Sequence, residues 1–426
     1  MYAATRKLLC GDTFDANNDD QVLAVFSNRM LVELAIAESE IPSRLAINGV
    51  RNHMRTLLGI AGRSAIASRA LSEPALAIAA AHALCQDVKS YTTGLKKFIS
   101  KFICEGVVID SGAKGGLVSR MLWIMARDAV YMDEGTMSSS GYCSVPASAS
   151  VPAPAFTSSS TSTSTSSPTS LSTSQPMVIP VTLRSILEKL LGDEMAQPAS
   201  KTGGHLCIYA EEVYVNFTHF VKMTESISIL TADLLYSLWC RGAAVQCAQG
   251  QHIFDGFFVT YRGDLKEPFD AKKLSYVVWR TQARLSGMNC ILDEELTGPV
   301  IEDVGCGSDS ESRTSWKPEH VTIIMDLCNT EKFEENERYC KISHYRAVSK
   351  QPTSGGWTGY IGTSEPDRYC INIRGVNQYE MLRSTYEEVE SEMEFVMRRR
   401  IVAEGPFSKY ALKFYEQMGD MDVVGR

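Results

Sequence analysis

The 426-residue chain has no apolar run of the ~18–20 residues that a membrane span requires. Its most apolar stretch, Ala75–Cys85, is short and contains His82. Its start is not expected to act as a secretory leader either, because MYAATRKLLCGDTFDANNDD turns acidic where such a leader needs an apolar core. The expectation is an intracellular protein, cytoplasmic or nuclear, with no membrane partner. A basic excess is also missing: 42 Lys and Arg stand against 50 Asp and Glu, a net charge of −8. Phosphate affinity comes from Lys and Arg, so any nucleic-acid contact has to come from a local cluster. The 12 cysteines include no C-x-x-C pair. Without a secretory signal they do not read as a disulfide framework. Cys328, Cys340 and His344 come nearest to metal spacing. The last two could share one helix face, but no second close pair completes a zinc site.

What is present is a globular composition, 44% hydrophobic and 22% charged. A boundary falls in the middle. From Thr157 to Ser174, 16 of 18 residues are Ser or Thr, and residues 137–176 carry no charge. Such a tract has nothing to bury and cannot offset its ordering entropy. The chain therefore divides into a region at 1–136, a disordered Ser/Thr/Pro-rich insert at 137–177, and a second region at 178–426.

The first region reads as mostly helical. Leu23–Glu38 is one helix. Ser72-Glu73-Pro74 starts another, with a capping Ser and Pro in the first turn. Leu95, Phe98, Ile99, Phe102 and Ile103 form one apolar stripe. Ser111 opens a further helix whose first turn is GAKGG, 112–116. A phosphate loop needs Gly-Lys followed by Ser or Thr, whereas Lys114 is followed by two glycines, so GAKGG reads as a glycine-softened helix start.

After the insert, 181–195, 211–222 and 231–241 read as helices, with Thr231 capping the last and Gly242 ending it. The period then changes. GFFVTY (256–261) and SYVVWRT (275–281) read as paired strands, VTIIMDL (321–327) as a third and YCINI (369–373) as a fourth. Residues 379–401 form a charged closing helix. Its Arg398-Arg399-Arg400 reads as a solvated helix end, suited to the dipole. His219, placed on the 211–222 helix without a nucleophile pattern, reads as a hydrogen-bonded core histidine.

The constellation that carries chemistry is Asp255 with the strand at 275–281. Metal-dependent nucleases often put one carboxylate at the start of a strand, and a second carboxylate and a lysine two residues apart on its neighbour. Positions i and i+2 share a face, so both point at one divalent ion and its water. Asp255 fits the first position. The i, i+2 pair here is Arg280 and Gln282. Arginine cannot ligate a cation, and glutamine lacks the lysine's charge.

Several stretches together resemble a lineage-expanded family of mushroom-forming fungi, similar to Crinkler-type proteins, which join P-loop NTPase modules to restriction-endonuclease-like modules. They are KLLCGDTFD (7–15), GAKGGLVSRMLWIMARDA (112–129), VNFTHFVK (215–222), WCRGAAVQC (239–247), IFDGFFVTYRG (253–263), VVWRTQAR (277–284), VTIIMDL (321–327) and RYCINIRG (368–375). The resemblance implies a catalytic acid at Gly116, the strand aspartate at Asp255, and a Gln-x-Lys pair at Arg280 and Gln282. One of those four polar groups remains. It also implies an upstream NTPase module, which makes this chain a truncated copy or one domain of a split system.

The fold class expected is α/β (α+β): a helical amino-terminal region, then a restriction-endonuclease-like mixed sheet flanked by helices. The function expected is that of a non-catalytic, degenerate nuclease-like module in recognition or regulation, with nucleic acid or protein as partner and no cofactor. Arg262, Arg280 and Arg284 are the candidate nucleic-acid contacts. Two other readings remain open. One is an active Mg²⁺- or Mn²⁺-dependent nuclease using Asp255 and Asp326; the other is a helical protein–protein interaction module.

Overall fold

A computed structural model describes residues 2–34, 40–61, 65–71, 73–103, 108–109, 114–138, 179–192, 195, 201–223, 229–248, 254–282, 299–303, 314–327, 340–345 and 366–398. The insert at 137–177 therefore lies almost wholly outside the described residues. The chain is an α/β protein with eleven α-helices and a mixed sheet of nine strands among those residues.

The amino-terminal part runs α1 (Tyr2–Leu9), α2 (Asp19–Met30), β1 (Glu33–Leu34), α3 (Glu40–Asn52), β2 (Arg55–Ala61), β3 (Ala65–Ala70), α4 (Pro74–Leu84), α5 (Val88–Lys97), β4 (Val108–Ile109) and α6 (Lys114–Ser138). A π-helical turn, Phe98–Ile103, extends α5 and buries Phe98, Ile99, Phe102 and Ile103, the stripe visible in the sequence. The helix expected at 23–38 is α2, set earlier and shorter. The Asn18 side chain accepts from the amides of Asp20 and Gln21, and Leu31 turns left-handed at φ 55°. The mostly helical expectation misses a four-stranded sheet ordered β2-β3-β1-β4. Its strands RTLLGIA and AIASRA are poor in β-branched and aromatic residues, and a bulge between Leu57 and Gly59 breaks their alternation.

The second part runs β5 (Val181–Thr182), α7 (Leu183–Leu191), α8 (Lys201–Glu212), β6 (Tyr214–Val215), β7 (His219–Lys222), β8 (Ile229–Thr231), α9 (Ala232–Arg241), β9 (Ala243–Gln246), β10 (Gly256–Tyr261), β11 (Leu274–Gln282), β12 (Val300–Asp303), β13 (Thr314–Trp316), β14 (His320–Asp326), β15 (Cys340–Tyr345), β16 (Arg368–Arg374), α10 (Glu380–Arg383) and α11 (Glu387–Arg398). The four strands read from the sequence are β10, β11, β14 and β16, each within a residue of its expected bounds. Thr231 caps α9 by accepting from Leu234 N, and Gly242 ends it in the left-handed region at φ 60°. The helix expected at 211–222 is a correction. Helix α8 stops at Glu212, and VNFTHFVK supplies β6 and β7. Its β-branched and aromatic residues suit a strand, and Phe217 and Phe220 are both buried.

The large sheet is ordered β15-β16-β14-β11-β10-β6-β5, with β9 beside β10 and β7 beside β9. Strands β9, β10 and β11 are antiparallel neighbours, while β14 runs parallel to β11 and β16 parallel to β14. Its two faces belong to different clusters. Trp279, Ile323, Met325, Ile371 and Ile373 join the main core with the amino-terminal helices. Val278 and Tyr276 join a second cluster with α9, and Ile324 and Cys370 a third. Helix α6 docks on the main-core face through Trp123, whose ring lies 4.9 Å from Phe258 and 5.6 Å from Trp279. A buried ion pair ties the same layers together. Arg29 of α2 forks onto Asp128 of α6, with Nη2 to Oδ1 at 2.8 Å, and its Nε donates to the Thr218 carbonyl at 3.0 Å. Tyr91 OH donates to Asp128 at 2.9 Å.

Candidate functional site

The start of β10 and the end of β11 meet because the hairpin pairs Gly256 with Trp279 and Phe257 with Val278. Continued by one step, that register sets Asp255 opposite Arg280. The backbone fastens the corner: Asp255 N donates to Trp279 O at 2.9 Å, and Cys247 N donates to Asp255 O at 2.9 Å. The approach is so close that a Cβ on Gly256 would fall 2.3 Å from the Trp279 ring and 2.6 Å from the Val245 carbonyl. Only glycine fits there.

The Asp255 carboxylate is put to internal use. Its Oδ2 accepts from Thr281 N at 2.6 Å. Burial raises its pKa, while the Thr281 amide and the Arg280 charge oppose that rise. The acid is thus held by an amide and faced by a guanidinium.

This donor set does not suit a divalent cation. Two carboxylates sharing an ion need oxygens about 4–5 Å apart, with ligand bonds of ~2.0–2.6 Å. Asp326 stands two strands from Asp255, roughly 10 Å across the sheet. In register it pairs with Gln282 on one side and Arg374 on the other. Among the described residues no group of three His, Cys, Asp or Glu side chains is placed to hold a metal ion. Gly116 lies in the first turn of α6, where Ser119 Oγ donates to its carbonyl at 2.9 Å, and it offers no side chain. The Gln282 side chain and all of Arg284 lie outside the described residues.

Arg262 is not part of this corner. It follows the other end of β10, seven residues and therefore about 23 Å from Asp255. It donates to Glu212 (2.6 Å) and Glu319 (2.7 Å) and lies over the Tyr209 ring at 5.6 Å. Arg262 and Arg280 therefore do not line one groove.

His219 is fully buried on β7, with Nδ1 3.1 Å from Thr218 Oγ1, and burial pushes its pKa down to about 4. Cys340 and His344 share a strand rather than a helix face, about 13 Å apart, too far for one ion. Cys328 lies outside the described residues, as do Gly112 and Ala113 of GAKGG and Arg399 and Arg400.

Two features escape the sequence reading. One is the Arg29–Asp128 pair; its signal is Arg127-Asp128 set inside the otherwise apolar run MLWIMARDAVYM. The other is a set of polar positions within apolar strands, Thr322 in HVTIIMD and Asn372 in RYCINIR. No protein-family model, curated protein or solved structure matches the chain. Among the described residues no helix is long and apolar enough to cross a membrane.

Proposed function

We propose that the chain is a non-catalytic, nuclease-like module that recognises nucleic acid, with Arg280 standing where a catalytic relative would carry a metal-binding or water-activating group. One observation carries the reading: the Asp255 carboxylate accepts a backbone amide and faces a guanidinium. The fixed cation of Arg280 offsets the acid's charge, as an ion would, but has no open coordination position for water. The strand order supports the reading. An antiparallel run β9-β10-β11 continues into a parallel β14, and the aspartate stands at the head of the middle strand. This is the arrangement that the resemblance to restriction-endonuclease-like modules implies. Arginine pairs bidentately with phosphate, so the substitution turns a site for chemistry into one for phosphate contact.

The test has two parts. Calorimetric titration with Mg²⁺ and Mn²⁺ should give no saturable heat, and no cleavage of DNA or RNA should follow. Saturable metal binding lost in Asp255→Ala would overturn the reading in favour of the metal-dependent nuclease using Asp255 and Asp326. Fluorescence anisotropy with single- and double-stranded oligonucleotides should show binding that weakens with salt and in Arg280→Ala. No binding to any of them at low salt would leave a protein-interaction module.

A further inference from the structure

The acidic balance of the chain reverses in one stretch. Between Glu40 and Glu73 stand five arginines with no lysine and no acidic residue, in a chain of net charge −8. The stretch folds as α3, β2 and β3. Two of the five face inward or across the small sheet. Arg55 is buried and donates to Ser68 Oγ at 3.1 Å and to Ser68 O at 2.8 Å, while Arg69 stands opposite Glu33 of β1. Arg63 lies outside the described residues. Arg44 and Arg51 are exposed on α3, and neither has an ion-pair partner among the described residues.

Helical periodicity sets these two on one stripe. Arg44, Ile47 and Arg51 fall within about 60° of one another around the axis, and Asn48 flanks them. Leu45, Ala46 and Gly49 turn to the opposite side and are buried. Gly49 packs so closely that a Cβ there would fall 2.3 Å from Arg55 Cδ. The inner side of α3 is therefore sealed against the sheet, and the arginine stripe faces solvent.

The stripe borders exposed apolar surface. Of the eleven large apolar side chains exposed among the described residues, four belong to this unit: Ile47, Met54, Leu57 and Ile60. Met54 turns left-handed at φ 57° between α3 and β2, and β2 ends the order β2-β3-β1-β4. The bulged register with β3 puts Leu57 and Ile60 on the sheet face that carries Arg55. Helix α3 packs on that face, so the helix and these side chains stand on the same side of the sheet.

The chemistry selects a partner. Exposed apolar side chains bordered by charge mark interaction surfaces. Arginine forks bidentately onto phosphate. Seven residues of helix separate Arg44 from Arg51 by about 10.5 Å, close to three phosphate steps of about 3.4 Å along one strand of a DNA duplex. Proteins that take the minor groove combine arginine and asparagine with aliphatic Leu, Ile or Met. Single strands are held by bases stacking on aromatic rings, and residues 41–72 contain no Phe, Tyr or Trp. A helix lying on a membrane needs a broad exposed apolar face, whereas α3 exposes one large apolar side chain among its described residues, Ile47.

We infer that the outer face of α3, with the adjoining edge of β2, is a docking surface for duplex DNA, held by phosphate contacts of Arg44 and Arg51. The inference rests on the nucleic-acid reading but not on Arg280, so the two contacts can fail separately.

The experiment is fluorescence anisotropy of the full chain with a short DNA duplex and with each of its single strands, across a salt series. The duplex should bind more tightly than either strand. In Arg44→Ala/Arg51→Ala the slope of log affinity against log salt should fall by about 1.8, at ~0.9 per lost phosphate contact, with affinity at low salt roughly tenfold weaker. Both side chains are exposed, so the melting temperature should not move. Lys272→Glu makes an equal change of net charge at an exposed position between β10 and β11, and should leave the slope as it is. An unchanged slope in the double variant overturns the inference, as does an equal fall in Lys272→Glu or tighter binding of a single strand. Phosphatidylserine vesicles that bind the chain and lose it in the double variant, with duplex binding intact, would overturn it in favour of a membrane. Duplex binding weakened by Arg280→Ala but not by the double variant would overturn this inference and keep the nucleic-acid reading. No binding of any oligonucleotide at low salt would overturn both.

Discussion

Replacing Asp128 by Asn should be among the most damaging single changes to this protein. Asp128 and Arg29 are both fully buried, and the carboxylate receives two guanidinium nitrogens and the Tyr91 hydroxyl. Arg127 stands 3.9 Å away on the same helix. Without the carboxylate, Arg29 remains buried beside Arg127 with its principal counter-charge gone. Breaking a buried pair this way costs about 3–5 kcal/mol. Against a total stability of ~5–15 kcal/mol, that would bring the chain near its folding limit. The double change Arg29→Met/Asp128→Leu removes both charges together. It loses the Arg29 bond to Thr218 O, orphans Tyr91 OH and takes Asp128 from buried Arg127, but it no longer strands the Arg29 charge that was bonded to that carboxylate. Its expected cost is only ~1–3 kcal/mol. Urea unfolding followed by the fluorescence of buried Trp123 and Trp279 reads both variants. A loss below ~1 kcal/mol in Asp128→Asn, or a double variant no better than the single, would refute the reasoning.

Acid should destabilise the fold through two histidines. His219 and His320 have pKa values of about 4 in the folded chain because burial disfavours the imidazolium, against ~6.5 when unfolded. Between those values the unfolded state binds the extra protons. Stability is therefore complete above about pH 6.5 and falls towards pH 4, by up to ~3 kcal/mol per histidine. Urea midpoints across that range should drop, and less steeply in His219→Gln; a flat profile would contradict the burial. Gly256→Ala should cost about 2–3 kcal/mol or more, because its Cβ meets a ring and a carbonyl that cannot both retreat; a near-native melting temperature would mean the hairpin yields there. At Asp255, Asn keeps an acceptor for the Thr281 amide and should be nearly neutral, whereas Ala orphans it at about 1–3 kcal/mol. Equal stability of the two variants would argue against that bond.

The carboxy-terminal strands were legible because they concentrate β-branched and aromatic residues between polar turns; GFFVTY matches β10 residue for residue. The Thr231 and Gly242 caps were legible for a similar reason, since cap chemistry is local. The β2–β3 hairpin was not, because its strands hold few β-branched and no aromatic residues and their pairing with β1 comes from elsewhere in the chain. His219 was misplaced because VNFTHFVK satisfies an apolar helix face as readily as a strand. Of the site, the juxtaposition of Asp255 with Arg280 followed from hairpin register. The use of Asp255 as an amide acceptor did not, since that depends on where one side chain turns. The separation of Arg262 from Arg280 needed only strand length and could have been drawn from the sequence. The Arg29–Asp128 pair joins residues 99 apart and leaves no local trace beyond charges in apolar helices.

The stitching of the first helices to late strands has a consequence for synthesis. Arg29 bonds a carbonyl 189 residues downstream, and Met125 O accepts from Tyr386, 261 residues on. Closing such distant contacts is slow, and ribosomes deliver about 5–20 residues per second. Helices α2 and α6 thus emerge many seconds before β7, β10 and β11 exist to cover them. During that interval Trp123 and the apolar face around it have no native partner from the sheet. Carboxy-terminal truncations that remove β10 and β11 should therefore be lost to aggregation or proteolysis rather than accumulate as a folded amino-terminal half.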